Sequence, residues 1–242
     1  MREVQSALRL HTPIMLCDHE LGDSIPEPFP KRSFFMGIFG PPGGGKSSFM
    51  ISILTQKGTD KIFRGVFNTI YLIIPSHSLA SLKSNVFREH PPDQVYHELN
   101  IPTLQSIKAK ISADAEQGFT SLIVIDDQTV HLKDKGTEAL LRELVFNRRH
   151  FRTSIMILAQ SYSQMPLAIR KCLSHFVLFK SPNKKELESV LTELVFKPQT
   201  VINEVASHVF KNKHSFLFGV SDTGQLYNKF NKLLIENGEE SD

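Results

Sequence analysis

The 242-residue sequence holds only two cysteines, Cys17 and Cys172, far apart in the chain. Two such thiols cannot build a disulfide framework or a multi-cysteine zinc site. The sequence also lacks any Asn-x-Ser/Thr sequon, so a reducing compartment fits best. Long apolar runs are missing as well. The longest, Ile70 to Ile74, Leu122 to Ile125 and Ile155 to Ala159, fall far short of the about 20 residues that a membrane-spanning helix needs. The opening MREVQSALRL has no uninterrupted apolar core of the secretory kind, and a soluble, intracellular chain with no membrane span is expected. Heptad, collagen-like and solenoid repeats are absent, as is any low-complexity linker. Excess charge of one sign is small: 28 Lys+Arg against 25 Asp+Glu leave +3, which permits a polyanionic partner without demanding one.

What is present is an ordinary globular composition, 40% hydrophobic and 22% charged, outside the disordered regime. The reading is of one domain with irregular ends: an irregular segment over 1–30 closing on the Pro-rich Ile25-Pro26-Glu27-Pro28-Phe29-Pro30, a core over 31–235, and an acidic flexible tail over 236–242. Within the core, β-rich runs alternate with helical patterns. Strands are expected at 33–39, 69–74, 95–99, 121–125, 153–159 and 175–179. Helices are expected at 46–55, near 79–88, and at 103–116 and 138–147. This alternation predicts an α/β fold with a mostly parallel central sheet and helices on both faces. Asn183 can cap a further helix with Glu186 at its third position, as in a capping box, and Leu187, Val190, Leu191 and Leu194 then share one face. Past Pro198 another helix to about His208 precedes Ser215–Val220, a turn at Asp222-Thr223-Gly224 and Gln225–Phe230, which read as a C-terminal β-hairpin addition.

The strongest chemical signal is Gly40-Pro41-Pro42-Gly43-Gly44-Gly45-Lys46-Ser47, followed by Ser48. It is a complete G-x-x-x-x-G-K-[ST] phosphate loop placed after a strand and opening a helix, which is where its mechanism requires it. Successive backbone N–H groups must converge on a phosphate, and glycines allow the positive φ and close approach this needs. The helix N-terminus adds partial positive charge. Lys46 can reach the β- and γ-phosphates of ATP, and the Ser47 hydroxyl can ligate Mg²⁺. The loop needs an acidic partner at the end of a buried strand, and Leu122-Ile123-Val124-Ile125-Asp126-Asp127 supplies one: Asp126 for the metal, Asp127 as general base toward the attacking water. Most P-loop ATPases of this type place glutamate at the second position, and aspartate is one methylene shorter.

The 80 positions from Lys46 to Asp126 leave room for a further strand-helix unit between the two motif strands. This favours the additional-strand class of P-loop ATPases over small kinases and GTPases. Asn183-Lys184-Lys185-Glu186 echoes the guanine-reading N-K-x-D, but Glu stands for Asp, no D-x-x-G precedes it, and capping explains it better. Gln160, directly after the 153–159 strand, is positioned to contact the γ-phosphate or the lytic water. Asn147-Arg148-Arg149-His150-Phe151-Arg152 carries three arginines in six residues. Such forks suit bidentate phosphate contact or completion of a neighbour's site, although cations also favour a helix C-terminus. Arg149 is the first candidate, and Arg170, after Met165-Pro166, the second. The histidines form no metal-binding spacing, and Cys17-x-His19 alone is no metal site.

Four blocks together resemble one family: Gly40–Ser47; Leu122–Asp127; Asn147-Arg148-Arg149-His150 followed by Ser154-Ile155-Met156-Ile157-Leu158-Ala159-Gln160; and Met165-Pro166-x-x-Ile169-Arg170. They are similar to the genome-packaging ATPases of double-stranded DNA viruses and virus-like transposons, the poxvirus packaging type within the FtsK/HerA superfamily. The likeness spans about residues 31–195. It implies an oligomeric ring, hexamer or pentamer, that pumps double-stranded DNA into a preformed capsid. Gln160 would act as sensor, with an arginine, Arg149 or Arg170, supplied between subunits. It also implies contact with capsid or portal-vertex proteins, and work at assembly sites in the host cytoplasm or nucleus, or with the virion. A replicative helicase-like ring ATPase and a nucleotide-binding scaffold with little turnover are the alternatives. In a ring, six copies would together bring about +18 of charge.

Overall fold

The computed structural model describes residues 19–22, 24–80, 87 and 89–235. The expected acidic tail, Cys17 and most of the helix expected near 79–88 lie outside the described residues. Among the described residues nine strands form a single sheet: β1 (Phe35–Phe39), β2 (Thr69–Ile73), β3 (Val95–Tyr96), β4 (Ser121–Asp126), β5 (Thr153–Ala159), β6 (His175–Phe179), β7 (Phe216–Val220), β8 (Gln225–Asn228) and β9 (Asn231–Lys232). Their spatial order is β3-β2-β4-β5-β1-β6-β7-β8-β9. The first six strands pair in parallel. From β6 onward the pairing is antiparallel, and β7 and β8 form the expected hairpin.

The strand between the two motif strands is β5, which pairs with β1 on one side and β4 on the other. The chain is therefore of the additional-strand class. The inserted strand follows both motifs in sequence, while β2, which lies between them in sequence, pairs outside β4.

Seven helices complete the described fold: α1 (Lys46–Thr55), α2 (Ser76–Ala80), α3 (Ile101–Glu116), α4 (Lys135–Asn147), α5 (Leu167–Arg170), α6 (Lys184–Val195) and α7 (Gln199–Val209). Alternation along the buried strands sorts the core into two layers. Phe35, Tyr71, Ile123, Ile125, Ile155 and Ile157 face the apolar stripes of α3, α4, α6 and α7. Phe34, Met36, Leu72, Val124, Met156 and Val177 face α1, through Phe49, Met50, Ile53 and Leu54, together with Phe29, Phe63 and Phe67. Burial at about 25 cal/mol per Å² of apolar surface on both faces is what holds the central strands in place.

Two helices start earlier than their apolar periodicity predicts, because a cap sets the start. Asn100 Oδ1 accepts from Thr103 N at 3.0 Å, and Asp134 Oδ2 accepts from Thr137 N at 2.9 Å. The capping box at α6 is corrected. Asn183 Oδ1 does accept from Lys185 N at 3.1 Å, but Asn183 N donates to Ser181 Oγ at 3.2 Å. Glu186 therefore does not reach back to it and bonds elsewhere. Among the described residues no helix is long and apolar enough to cross a membrane.

Candidate nucleotide site

The site is built at the carboxyl ends of β1, β4 and β5. At the end of β1 the chain leaves the sheet through Gly40, whose N–H donates to Ala159 O at 3.2 Å. A Cβ on Gly40 would come within 2.7 Å of Phe179 Cβ, so only glycine fits this turn against β6. Gly45 takes the position before α1 with φ 112°, which side chains avoid. The loop between them curls so that Gly44 N donates to Pro41 O at 3.0 Å, and α1 begins at Lys46 with its free N–H groups at the loop.

Lys46 Nζ donates to Gly40 O at 2.7 Å and to Pro41 O at 3.2 Å. Partial burial pushes its pKa down, and the nearby carboxylates of Asp126 and Asp127 pull it back up. Ser47 Oγ donates to Asp126 Oδ2 at 3.0 Å. Asp126 is only 8% exposed. Its burial pushes the carboxyl above the usual range, against the opposing pull of the Ser47 hydroxyl and the Lys46 ammonium. Asp127 turns off the strand with φ 54° and is exposed.

Lys46, Ser47, Asp126, Asp127 and Gln160 line one cavity of about 240 Å³ with Pro42 and Gly43. Three separated stretches of chain meet there. Parallel pairing of β4 with β5 and of β5 with β1 puts all three strand ends at one edge. A second groove of about 640 Å³ borders the same loop, lined by Gly43 to Phe49, Ser52, Phe179, His214, Phe216 and Phe230. His214 Nδ1 lies 3.1 Å from Gly44 O, a carbonyl that can only accept, so this nitrogen carries the proton. Phe230 is 45% exposed and packs at 5.5 Å centroid distance on Phe216. Local sequence patterns carry no sign that His214 or Phe230 borders the loop, because both lie 170 or more residues after Gly44. Gln128 was also missed: buried, it accepts from Leu99 N at 3.1 Å and donates to His97 O at 3.1 Å, which ties the segment after Asp127 to the start of α3.

The two arginine candidates lie apart from this cavity. Arg149 is exposed in the turn between α4 and β5. This turn is at the amino edge of the sheet, the length of β5 away from Gln160, about 20 Å at about 3.3 Å per residue. Arg170 donates to Glu193 through Nε at 3.0 Å and through Nη2 at 2.8 Å, and its guanidinium stacks 4.8 Å from the centre of the Tyr162 ring. Its side chain is 17% exposed. The Arg170 fork is thus engaged by Glu193 inside its own chain. In the arginine cluster, Arg148, the neighbour of Arg149, donates to Val145 O at 2.9 Å, and burial and the Arg149 charge push its pKa down. Among the described residues no group of three or more His, Cys, Asp or Glu side chains could hold a metal ion.

The family model described as poxvirus A32 protein matches residues 27–225. No curated protein matches. Among solved structures, the chain is similar to the genome packaging NTPase B204 of Sulfolobus turreted icosahedral virus 2. With its sulfate complex it shares 15% identity at a TM-score of 0.60, covering 86% of this chain and 100% of that one. With its AMPPCP complex it shares 16% identity at a TM-score of 0.59, covering 84% and 99%. It is also similar to EssC (ATPases 2 and 3) from Geobacillus thermodenitrificans, at 14% identity and a TM-score of 0.52, covering 86% of this chain and 41% of that one. At these identities the structural likeness is one of fold.

Proposed function

The chain belongs to the poxvirus A32 protein family, and from that premise we propose that it is an ATP-hydrolysing motor that moves double-stranded viral DNA into capsids. The observation that carries this reading is the convergence of Lys46, Ser47, Asp126, Asp127 and Gln160 in one cavity at the loop. The packaging role draws on the family and on the similar fold of B204, described as a genome packaging NTPase.

The loop's glycines and the α1 N-terminus hold the phosphates through backbone N–H groups. Among the described residues, Asp126 and Asp127 line the first cavity whereas the groove is lined by no carboxylate, so the γ-phosphate belongs in the first. The nucleoside then extends past Ser48 into the groove beside Phe216 and Phe230, where an aromatic edge suits a base. Lys46 exchanges its contacts with the Gly40 and Pro41 carbonyls for phosphate oxygens and offsets the charge that builds on the transferred group. Asp127 takes a proton from water as its oxygen attacks the γ-phosphorus. The bond to the β–γ bridging oxygen breaks, leaving ADP and phosphate. Gln160 orients that water or the γ-phosphate.

Ser47 and Asp126 offer a hydroxyl and a carboxylate oxygen 3.0 Å apart, the hard donors that Mg²⁺ takes. The desolvation of Asp126 is a cost that a cation would offset, so the residues fit the ion. Bound there, Mg²⁺ supplies charge neutralisation to the phosphates.

Arg149, at the opposite sheet edge, is out of reach of its own site and is assigned to the site of a neighbouring copy in a homo-oligomeric ring. The test is phosphate release with and without double-stranded DNA, alongside a mass measurement. DNA-stimulated turnover by an oligomer without strand separation is expected. Unwinding would point to a helicase, and ATP binding without turnover to a scaffold.

A further inference from the structure

A buried carboxylate outside the nucleotide cavity grips the turn that follows Gln160. Glu186, 8% exposed, stands at the start of α6. Its Oε2 accepts from Tyr162 N at 2.8 Å, and its Oε1 accepts from Ser161 Oγ and Ser163 Oγ. Three donors from three consecutive residues thus converge on one side chain 23 to 25 positions away. The turn they fix, Tyr162–Gln164, begins two residues after Gln160.

Tyr162 is held on every side. Its hydroxyl donates to Glu193 Oε2 at 3.0 Å, Arg170 covers its ring, and Phe39 meets it edge-on at 5.4 Å. Phe39 is the last residue of β1, next to Gly40. One fully buried tyrosine therefore touches the entry to the phosphate loop, the turn after Gln160 and two carboxylates of α6.

A carboxylate at the third position of a helix would ordinarily turn back to its own N-cap at little cost. Burying it instead requires several charge-assisted bonds to offset desolvation, and here these bonds are spent on one loop. From this geometry we propose that Glu186 is a positioning residue for Gln160. By fixing residues 161–163 it sets where the Gln160 amide stands over the cavity, and it ties that stance to α6. The Arg170–Glu193 pair braces the same tyrosine, which gives the Met165-Pro166-x-x-Ile169-Arg170 block a role within the subunit. The inference rests on Gln160 acting at the γ-phosphate.

The test is a double-mutant cycle between Glu186 and Gln160, read as kcat and as affinity for a fluorescent non-hydrolysable ATP analogue. Glu186→Ala is expected to lower kcat about tenfold or more while affinity stays within about twofold. Glu186→Gln, which keeps the shape and an acceptor for Tyr162 N, should recover most of the loss. Adding Gln160→Ala to Glu186→Ala should cost little more than either alone. Because Glu186→Ala leaves the Tyr162 N–H without its acceptor, the double variant Ser161→Ala/Ser163→Ala, which retains that bond, is run through the same cycle. Turnover within about twofold of wild type in the folded variants, or losses that multiply with that of Gln160→Ala, would overturn the proposal. Lys46→Ala runs alongside. Turnover that survives it removes the nucleotide-site reading itself, whereas turnover lost there but untouched by the Glu186 variants removes only the positioning role.

Discussion

Ser47 Oγ donates to Asp126 Oδ2 at 3.0 Å across 79 residues of sequence, joining the first turn of α1 to the last residue of β4. The bond leaves Asp126 a carboxylate held in place before any ligand arrives. Yet its burial penalises the charged form, so folding stability is lost to keep an anion at the position proposed above for a cation-bound phosphate.

Asp126→Asn tests that expense. Because the folded pKa of Asp126 is raised, its titration favours the folded state at low pH and penalises it as pH rises through the folded pKa. Asn removes the penalty. The variant is expected to melt higher than wild type at pH 7, with the gain fading as the pH is lowered and the Asp126 carboxyl takes up its proton, while hydrolysis is lost. A change of about 1 kcal/mol corresponds to about 2–4 °C for a domain of this size. Equal melting temperatures at every pH would refute this account.

Lys46→Ala removes the cation that the proposed function places on the transferred phosphate. Phosphate release is expected to fall by about 10² or more, with the fold intact, because Lys46 bonds only loop carbonyls among the contacts described. Near-native turnover in this variant would dismiss the site assignment.

Arg149 and Arg170 separate by complementation. Arg149→Ala subunits should bind ATP and fail in homomeric assemblies, and mixing them with Lys46→Ala subunits should restore some turnover. Arg170→Ala should instead lose about 2–3 kcal/mol of stability, since it leaves Glu193 without its bidentate partner, and should gain nothing from mixing. Denaturant titration and mixed-subunit ATPase assays read both.

His175, buried in β6, has a pKa lowered to about 4, by burial first and by the Arg148 charge second. A depressed folded value means that its contribution to stability is whole above the ordinary value of 6.5 and is lost as pH falls toward 4. The ring packs edge-on against Phe34 and Phe218, so His175→Phe should keep the packing and flatten the decline in stability between these limits. Urea unfolding at pH 7 and pH 5 measures it; an unchanged slope would assign acid sensitivity elsewhere.

The phosphate loop was legible in the sequence because it is a local device. Glycines, lysine and serine at fixed spacing, between a β run and a helical run, dictate strand, turn and helix without help from the rest of the chain. The apolar run before Asp126 was legible for a similar reason, since a strand buried on both faces needs no alternation. Glu186 shows where such reasoning stops. Its spacing from Asn183 fits a capping box, and nothing local says that Ser181 takes the Asn183 N–H and leaves the carboxylate to a turn 23 or more residues upstream.

The same division runs through the whole chain. Periodicity and turn chemistry by themselves determined the α/β class, the phosphate loop and the acidic strand end, because these depend on near neighbours in sequence. Only the tertiary structure decided that β5 stands between β1 and β4, that Arg170 is bound to Glu193, that His214 and Phe230 flank the loop, and that Tyr162 joins loop, turn and helix. Each of those pairings joins distant segments, and which partner a buried polar group finds is settled by the packing of the sheet that brings the segments together.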